Sequence, residues 1–242
     1  MVTKFTGIGI LMIADILVIE AALYAGYEIR LSLIDVFPIG LERAQYFGIA
    51  AGVLAVPAAN MLMQIYPGYG INEVEQIRRR TLSLAIVFSS LMAWDYVVQD
   101  GSWSRGILLA TWVIATPLAP IVSVVVRKAL IGLGLWGAPL VIIGAGAAGR
   151  ALAASLRDKP EMGLNPIGFL DYDSSLAGRR IDDLPVLGGL DLVDEMASRV
   201  PFAAVAVSEF SGAQVAELCA QLPFPHVIIM PDFEGLQSNW VS

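Results

Sequence analysis

The chain has 242 residues, of which 57% are hydrophobic and only 15% charged, with a mean hydropathy of +0.70. That composition excludes a single soluble domain and points to a membrane protein. Residues 1–128 hold nine basic and nine acidic side chains, whereas 129–242 hold six and thirteen, so the whole net charge of −7 lies in the second part. An acidic second part argues against nucleic acid and against adhesion to anionic lipid. The single cysteine, Cys219, excludes an internal disulfide and a cysteine metal cluster, and its place in the Gln214–Leu222 pattern marks it as a small core residue.

In chain order, Phe5 to Ile29 is long enough to span a bilayer. A cleaved leader fits poorly, because the run is too long and contains Asp15 and Glu20. Acids at that depth are expected to face a helix bundle or polar cavity, here for packing. Arg30 to Arg43 is an outer loop. A second span runs from Ala44 to Ile65, with Ala50, Ala51, Gly52, Ala55, Ala58 and Ala59 forming a small-residue packing surface. The third, Leu82 to Val98, ends in Trp94 and Tyr96 with Trp103 following, as aromatics do at a membrane interface. The fourth, Gly106 to Val126, is expected to kink at Pro117 and Pro120 and to stop at Arg127-Lys128.

Between the second and third spans lies Ile65 to Thr81. Pro67, Gly68 and Gly70 end a helix, and Asn72 caps a new one with Glu73 and Glu75 in its first turn. Six cations (Lys4, Arg78, Arg79, Arg80, Arg127, Lys128) against three (Arg30, Arg43, Arg105) place both chain ends in the cytoplasm.

Tyr66-Pro67-Gly68-x-Gly70, followed by Glu75, Arg78, Arg79 and Thr81, resembles the motif of long-form polyprenyl-phosphate glycosyl-1-phosphate transferases of the undecaprenyl-phosphate galactose phosphotransferase type. Those enzymes begin capsule, exopolysaccharide or O-antigen repeat units at the bacterial inner membrane.

After a Gly-rich link at 129–138 the pattern changes to short apolar strands alternating with helices. Strands are expected at Pro139–Ile143, Ile167–Asp171, Pro185–Leu187, Ala203–Val207 and His226–Met230, with helices at Ala147–Arg157, Leu190–Arg199 and Gly212–Leu222. Such runs make a parallel sheet covered on both faces. The fold class is therefore a four-helix transmembrane domain (1–128) followed by an α/β Rossmann-like domain (139–242).

Gly144-Ala-Gly146-Ala-Ala-Gly149 lies between strand and helix, where the glycines serve a tight turn, close approach of a phosphate and helix–strand packing. Arg150 opens the same helix. Asp171, 22 residues past Gly149, is placed for a ribose hydroxyl or as a solvated strand-end acid, and Asp232 ends the last strand on the same edge. The glycine turn reads either as a ligand site or as a packing device. One mononucleotide half fits UDP or a UDP-sugar better than NAD.

The resemblance extends through Trp136-Gly137-x-Pro139, the Gly168-to-Asp171 strand end and Pro185-to-Gly188, which are similar to the CoA-binding-like domain of the same transferases. It implies that the chemistry belongs to a further catalytic domain, with a re-entrant helix, an Asp-Glu pair and a Gly-Pro-Arg-Pro motif. Asp194-Glu195 sits on an ordinary helix and does not match that pair; His226 reads as a strand-end residue. These residues are thus expected to be the non-catalytic membrane and regulatory half, with the lipid bilayer, a catalytic transferase domain or subunit, and a second copy of the chain as partners. Two other classes stay open: the front part of a membrane-bound nucleotide-sugar dehydratase or epimerase, and a scaffold for a separate catalytic subunit.

Overall fold

The computed structural model describes residues 2–36, 43–98, 103–207 and 222–231, and the chain divides into two units, Met1–Trp136 and Gly137–Ser242. The first is helical: α1 (Val2–Ser32), α2 (Arg43–Val53), α3 (Ala55–Leu62), α4 (Glu73–Val98) and α5 (Arg105–Gly132). Among the described residues, α4, α5 and Thr6–Ser32 of α1 are long and apolar enough to cross a membrane. Four spans are not reproduced at that length. The second apolar run is divided at Leu54, because Pro57 has no N–H to give the Val53 carbonyl and its ring crowds that carbonyl.

These helices bury only part of their apolar surface. Ile13, Leu17 and Tyr24 on α1 and Leu109, Val113, Ile121 and Val125 on α5 are exposed, which for such long apolar helices is a surface suited to lipid. The buried side packs Ile19 and Leu23 of α1, Ile49 and Val53 of α2, Phe88 of α4 and Leu108 of α5 into one core. At Gly26 a Cβ would stand 2.9 Å from Thr111 Oγ1, so α1 and α5 approach closely there. The expected small-residue surface of the second run is narrower than its sequence. Ala50 and Ala59 pack on the core and Gly52 faces Leu91, but Ala51, Ala55 and Ala58 are exposed.

The helix α4 is continuous from Glu73, and Asn72 caps it as expected, its Oδ1 accepting the Glu75 N–H at 2.7 Å. The helix α5 passes through both prolines and continues beyond Lys128 to Gly132. Arg127, inside it, is not a solvated terminal cation; it is buried, with its guanidinium 5.1 Å from the Trp136 ring.

The second unit holds β1 (Ala138–Ile143), α6 (Ala147–Asp158), β2 (Leu164–Leu170), β3 (Arg180–Ile181), β4 (Leu184–Gly188), α7 (Val193–Arg199), β5 (Phe202–Val207) and β6 (His226–Pro231). The sheet order is β3-β4-β2-β1-β5-β6, parallel except for β3. The sequence pattern missed β3. It pairs with β4 through a tight turn in which Asp182 and Asp183 both have positive φ, the conformation of a two-residue hairpin that Asp tolerates. Leu190–Leu192, expected as the start of a helix, is a 3-10 turn before α7.

Alternation along β1 covers both faces. Val141 and Ile143 pack with Val193 and Met196, while Ile142 meets the α6 side beside Gly149. The helix expected at Gly212–Leu222, with Cys219, and the strand-end Asp232 lie outside the described residues apart from Leu222 itself.

A Cβ at Gly149 would lie 1.9 Å from the Gly144 carbonyl oxygen. Gly149→Ala is therefore expected to destabilise the α/β unit by about 3 kcal/mol. Hydrogen exchange at the β1 amides, faster in the variant, measures it.

Candidate functional site

The sequence singled out two places, and the structure builds each from backbone geometry. The first is the glycine turn. Gly144 has φ +97°, which a side chain would strain, and its N–H donates to the Leu170 carbonyl at 2.8 Å. Gly146 is exposed at the N-terminus of α6, and the first helical bond there runs from the Arg150 N–H to the Gly146 carbonyl. The N–H groups of Ala147, Ala148 and Gly149 precede that bond, so they have no partner within the helix. Arg150 is exposed on the same turn.

Asp171 reaches this turn from the end of β2. One carboxylate oxygen accepts the Ala145 N–H at 2.6 Å and the other the Asp173 N–H at 2.9 Å. The strand-end acid thus braces the glycine turn, and each oxygen keeps lone-pair capacity for another donor, as a ribose hydroxyl would be. Beside it, partial burial and the Asp171 charge raise the pKa of the exposed Tyr172 hydroxyl. The strand order turns outward from β1, with β2 on one side and β5 on the other. That is the switch point where open α/β sheets leave a crevice. Asp232, assigned to the same edge, lies outside the described residues.

The second place is the Tyr-Pro-Gly-x-Gly loop. The Tyr66–Pro67 bond is cis, and Gly68 has φ +73° with its Cβ direction blocked by the Ile65 carbonyl at 2.7 Å. Gly70 also has positive φ, so the motif's glycines are conformational. Gln76 of α4 is buried under the loop and donates to the carbonyls of Gly68 at 3.4 Å and Ile71 at 3.1 Å. Arg78 and Arg79 share Glu75, at 3.3 and 2.9 Å, and Arg79 also donates to the Met63 carbonyl at 3.2 Å.

Arg80 departs from the expected row of surface cations. It is 3% exposed and lies against Asp15 of α1, which is 2% exposed. Its Nη1 stands 2.7 and 2.9 Å from the two Asp15 oxygens, and its Nη2 donates to Ser123 Oγ of α5 at 2.9 Å. The Tyr66 hydroxyl donates to Asp15, and the Asn60 amide donates to Asp15 at 3.2 Å. Five polar residues from four helices and the loop therefore meet in an apolar unit. Sequence reading placed Asp15 facing a bundle but had no means of pairing it with Arg80, 65 positions away. The adjoining cavity, lined by Gln76, Arg80, Ser123 and Arg127 among others, measures ≈ 30 Å³. That is room enough for a water molecule.

Residues 65–207, more than half of the chain, match the CoA-binding domain family. The chain belongs to this family. The CoA-binding domain match begins at the Tyr-Pro-Gly loop and ends with β5, so it takes in α4, α5 and most of the sheet. The chain is 24% identical over 168 residues to the undecaprenyl-phosphate galactose phosphotransferase of Salmonella typhimurium, covering 68% of itself and 34% of that protein. It is 28% identical over 118 residues to the UDP-galactose-lipid carrier transferase of Erwinia amylovora, covering 48% of itself and 23% of that protein. The chain thus spans about a third or less of the length of these curated relatives. Among solved structures it is similar to UDP-D-quinovosamine 4-dehydrogenase from Vibrio fischeri, with 23% identity, a TM-score of 0.36, and coverage of 44% of this chain and 88% of that one. RSP, a Rex-family repressor, gives 16% identity and a TM-score of 0.38 over 66% of this chain and 79% of that one.

The group that the CoA-binding domain name implies has a ribose and a diphosphate. The ribose of coenzyme A carries a 3′-phosphate, which the Asp171 carboxylate would repel, so Asp171 suits a ribose with free hydroxyls better. A phosphate is offered the first-turn amides of α6 and the Arg150 guanidinium. The Ala145 amide is already held by a carboxylate, so a phosphate has no claim on it without displacing Asp171.

Removing one partner of a buried ion pair strands the other charge. Asp15→Asn or Arg80→Leu is expected to destabilise the helical unit by about 3–5 kcal/mol, and the apolar double variant Asp15→Leu/Arg80→Leu by much less. A double-mutant cycle by denaturant titration of the reconstituted protein measures the coupling.

Proposed function

We propose that these residues form the membrane-anchored, non-catalytic part of a transferase that starts glycan assembly by placing a sugar-1-phosphate on undecaprenyl phosphate. The carrying observation is the unbroken match from the Tyr-Pro-Gly loop through β5, joined to relatives named for undecaprenyl-phosphate and lipid-carrier sugar transfer. The catalytic partner is a further transferase domain or subunit, and the assembly is a homo-oligomer in the bacterial inner membrane. Products are the repeat units of capsule, exopolysaccharide or O-antigen.

The divided α2–α3 segment serves as a fourth crossing in this reading, and both ends face the cytoplasm. Charge supports that orientation even after the buried cations are set aside. Removing Arg80 and Arg127 from the six inner cations and Arg30 from the three outer ones leaves four against two. Reporter fusions at Val36 and Tyr69 are expected to read periplasm and cytoplasm respectively. The same compartment at both positions contradicts the four-crossing arrangement.

The α/β unit regulates the enzyme by binding a uridine nucleotide or nucleotide sugar at the glycine turn. Gly144, Gly146 and Gly149 shape the turn, Asp171 takes the ribose hydroxyls and Arg150 the phosphate. The small size of the unit, residues 139–242, is the ground for preferring UDP to NAD. Calorimetric titration of the reconstituted chain with UDP, a UDP-sugar, CoA and NAD is expected to show saturable binding of the uridine ligands, weakened at least about tenfold by Asp171→Ala. Silence from all four leaves the unit a scaffold.

A further inference from the structure

We propose that the Tyr-Pro-Gly-x-Gly loop is a clamp on the last residues of the helical unit, set by the buried Asp15–Arg80 pair and closed on Trp136. This rests on the geometry of the helical unit alone and holds whichever ligand the α/β unit takes.

The clamp has two ends. At one, the loop is tied into the unit's interior: the Tyr66 hydroxyl donates to Asp15, Asn60 approaches the same hydroxyl at 3.2 Å, and Asp15 is itself held by Arg80. A tyrosine hydroxyl in apolar surroundings needs such a partner, so the pair determines where Tyr66 can sit. At the other end, the Tyr69 ring meets the Trp136 ring edge-on, with centroids 5.0 Å apart and an interplanar angle of 64°. Trp136 is 5% exposed and clusters with Leu11 of α1, Ile65 and Tyr66 of the loop, and Leu130 of α5. Arg127 lies over the same ring.

The segment leading to Trp136 is gripped along its backbone as well. The Leu135 N–H donates to the Leu130 carbonyl at 2.9 Å, and a Cβ at Gly7 would come within 2.6 Å of the Leu135 carbonyl oxygen. Two residues, Pro67 and Gly68, link Tyr66 to Tyr69, and their backbone is set by the proline ring and by the positive φ of Gly68. A slackened Tyr66 is therefore passed on to Tyr69 as a changed ring position. Arg78 and Arg79, spent on Glu75, stay outside this path. The spacing of the motif is explained by holding the chain where it leaves the helices.

The test is limited chymotrypsin digestion of the full chain in nanodiscs, where both faces are accessible, with the rate of cleavage after Trp136 compared with that after Trp103 by mass spectrometry. Trp103 packs at the other end of α4, its backbone N–H donating to the Asp95 carboxylate at 2.8 Å, and reports general loosening. Tyr66→Phe, which removes one hydroxyl and keeps the ring, is expected to raise cleavage after Trp136 at least about tenfold and leave Trp103 at the wild-type rate. Arg78→Ala leaves both rates unchanged. Wild-type cleavage after Trp136 in Tyr66→Phe, or an equal rise at both sites, overturns the proposal. A rise after Trp136 in Arg78→Ala matching that of Tyr66→Phe overturns it too.

Discussion

A charge inside an apolar helical unit must find its counter-charge, and the first unit of this protein is arranged around that requirement. Asp15 and Arg80 are nearly inaccessible and bonded to each other through both carboxylate oxygens. Neither is tolerable there alone, because leaving one buried ion unpaired costs several kcal/mol. Their pairing fixes the rotation of α1 against α4. Ser123 brings in α5, Asn60 brings in α3, and Tyr66 brings in the loop. Around this centre α1 and α5 approach closely at Gly26, and Gly52 faces Leu91.

The α/β unit depends on a different constraint, the contact between a helix N-terminus and the strand end before it. Gly149 lets α6 rest on the Gly144 carbonyl, and Asp171 fastens the turn between them through the Ala145 amide. The motif therefore has a mechanical task before any ligand arrives. The same arrangement sets the character of the site. A carboxylate at its mouth favours hydroxyl donors, while the helix amides and Arg150 face outward for an anion. In the proposed reading, the ribose and phosphate of a nucleotide meet those demands.

Residue periodicity and breakers carried much of the architecture into the sequence. Continuous apolar runs at 139–143, 203–207 and 227–230 could be read as parallel strands because nothing polar interrupts them, and Asn72 was legible as a cap because its chemistry is local. Pro57 was equally visible, yet its effect on the second apolar run appears only when the chain is built as a helix and Pro57 has no N–H to give the Val53 carbonyl. The two-residue strand β3 gave no alternation to read, and its only sign was the Asp182-Asp183 pair.

What the sequence by itself determined is therefore whatever rests on neighbours in the chain: long apolar helices, a βα alternation, a glycine turn with an acid downstream, and a loop of prolyl and glycyl conformation. Tertiary structure alone decided which charges are surface and which are structural. Arg78, Arg79 and Arg80 are identical letters in a row, but successive residues on a helix point about 100° apart, and only Arg80 turns toward Asp15. Arg127 likewise reads as a terminal cation until Trp136 folds over it. A charge's role follows from the dielectric around it and the partner opposite it, and both are supplied by residues far away in sequence.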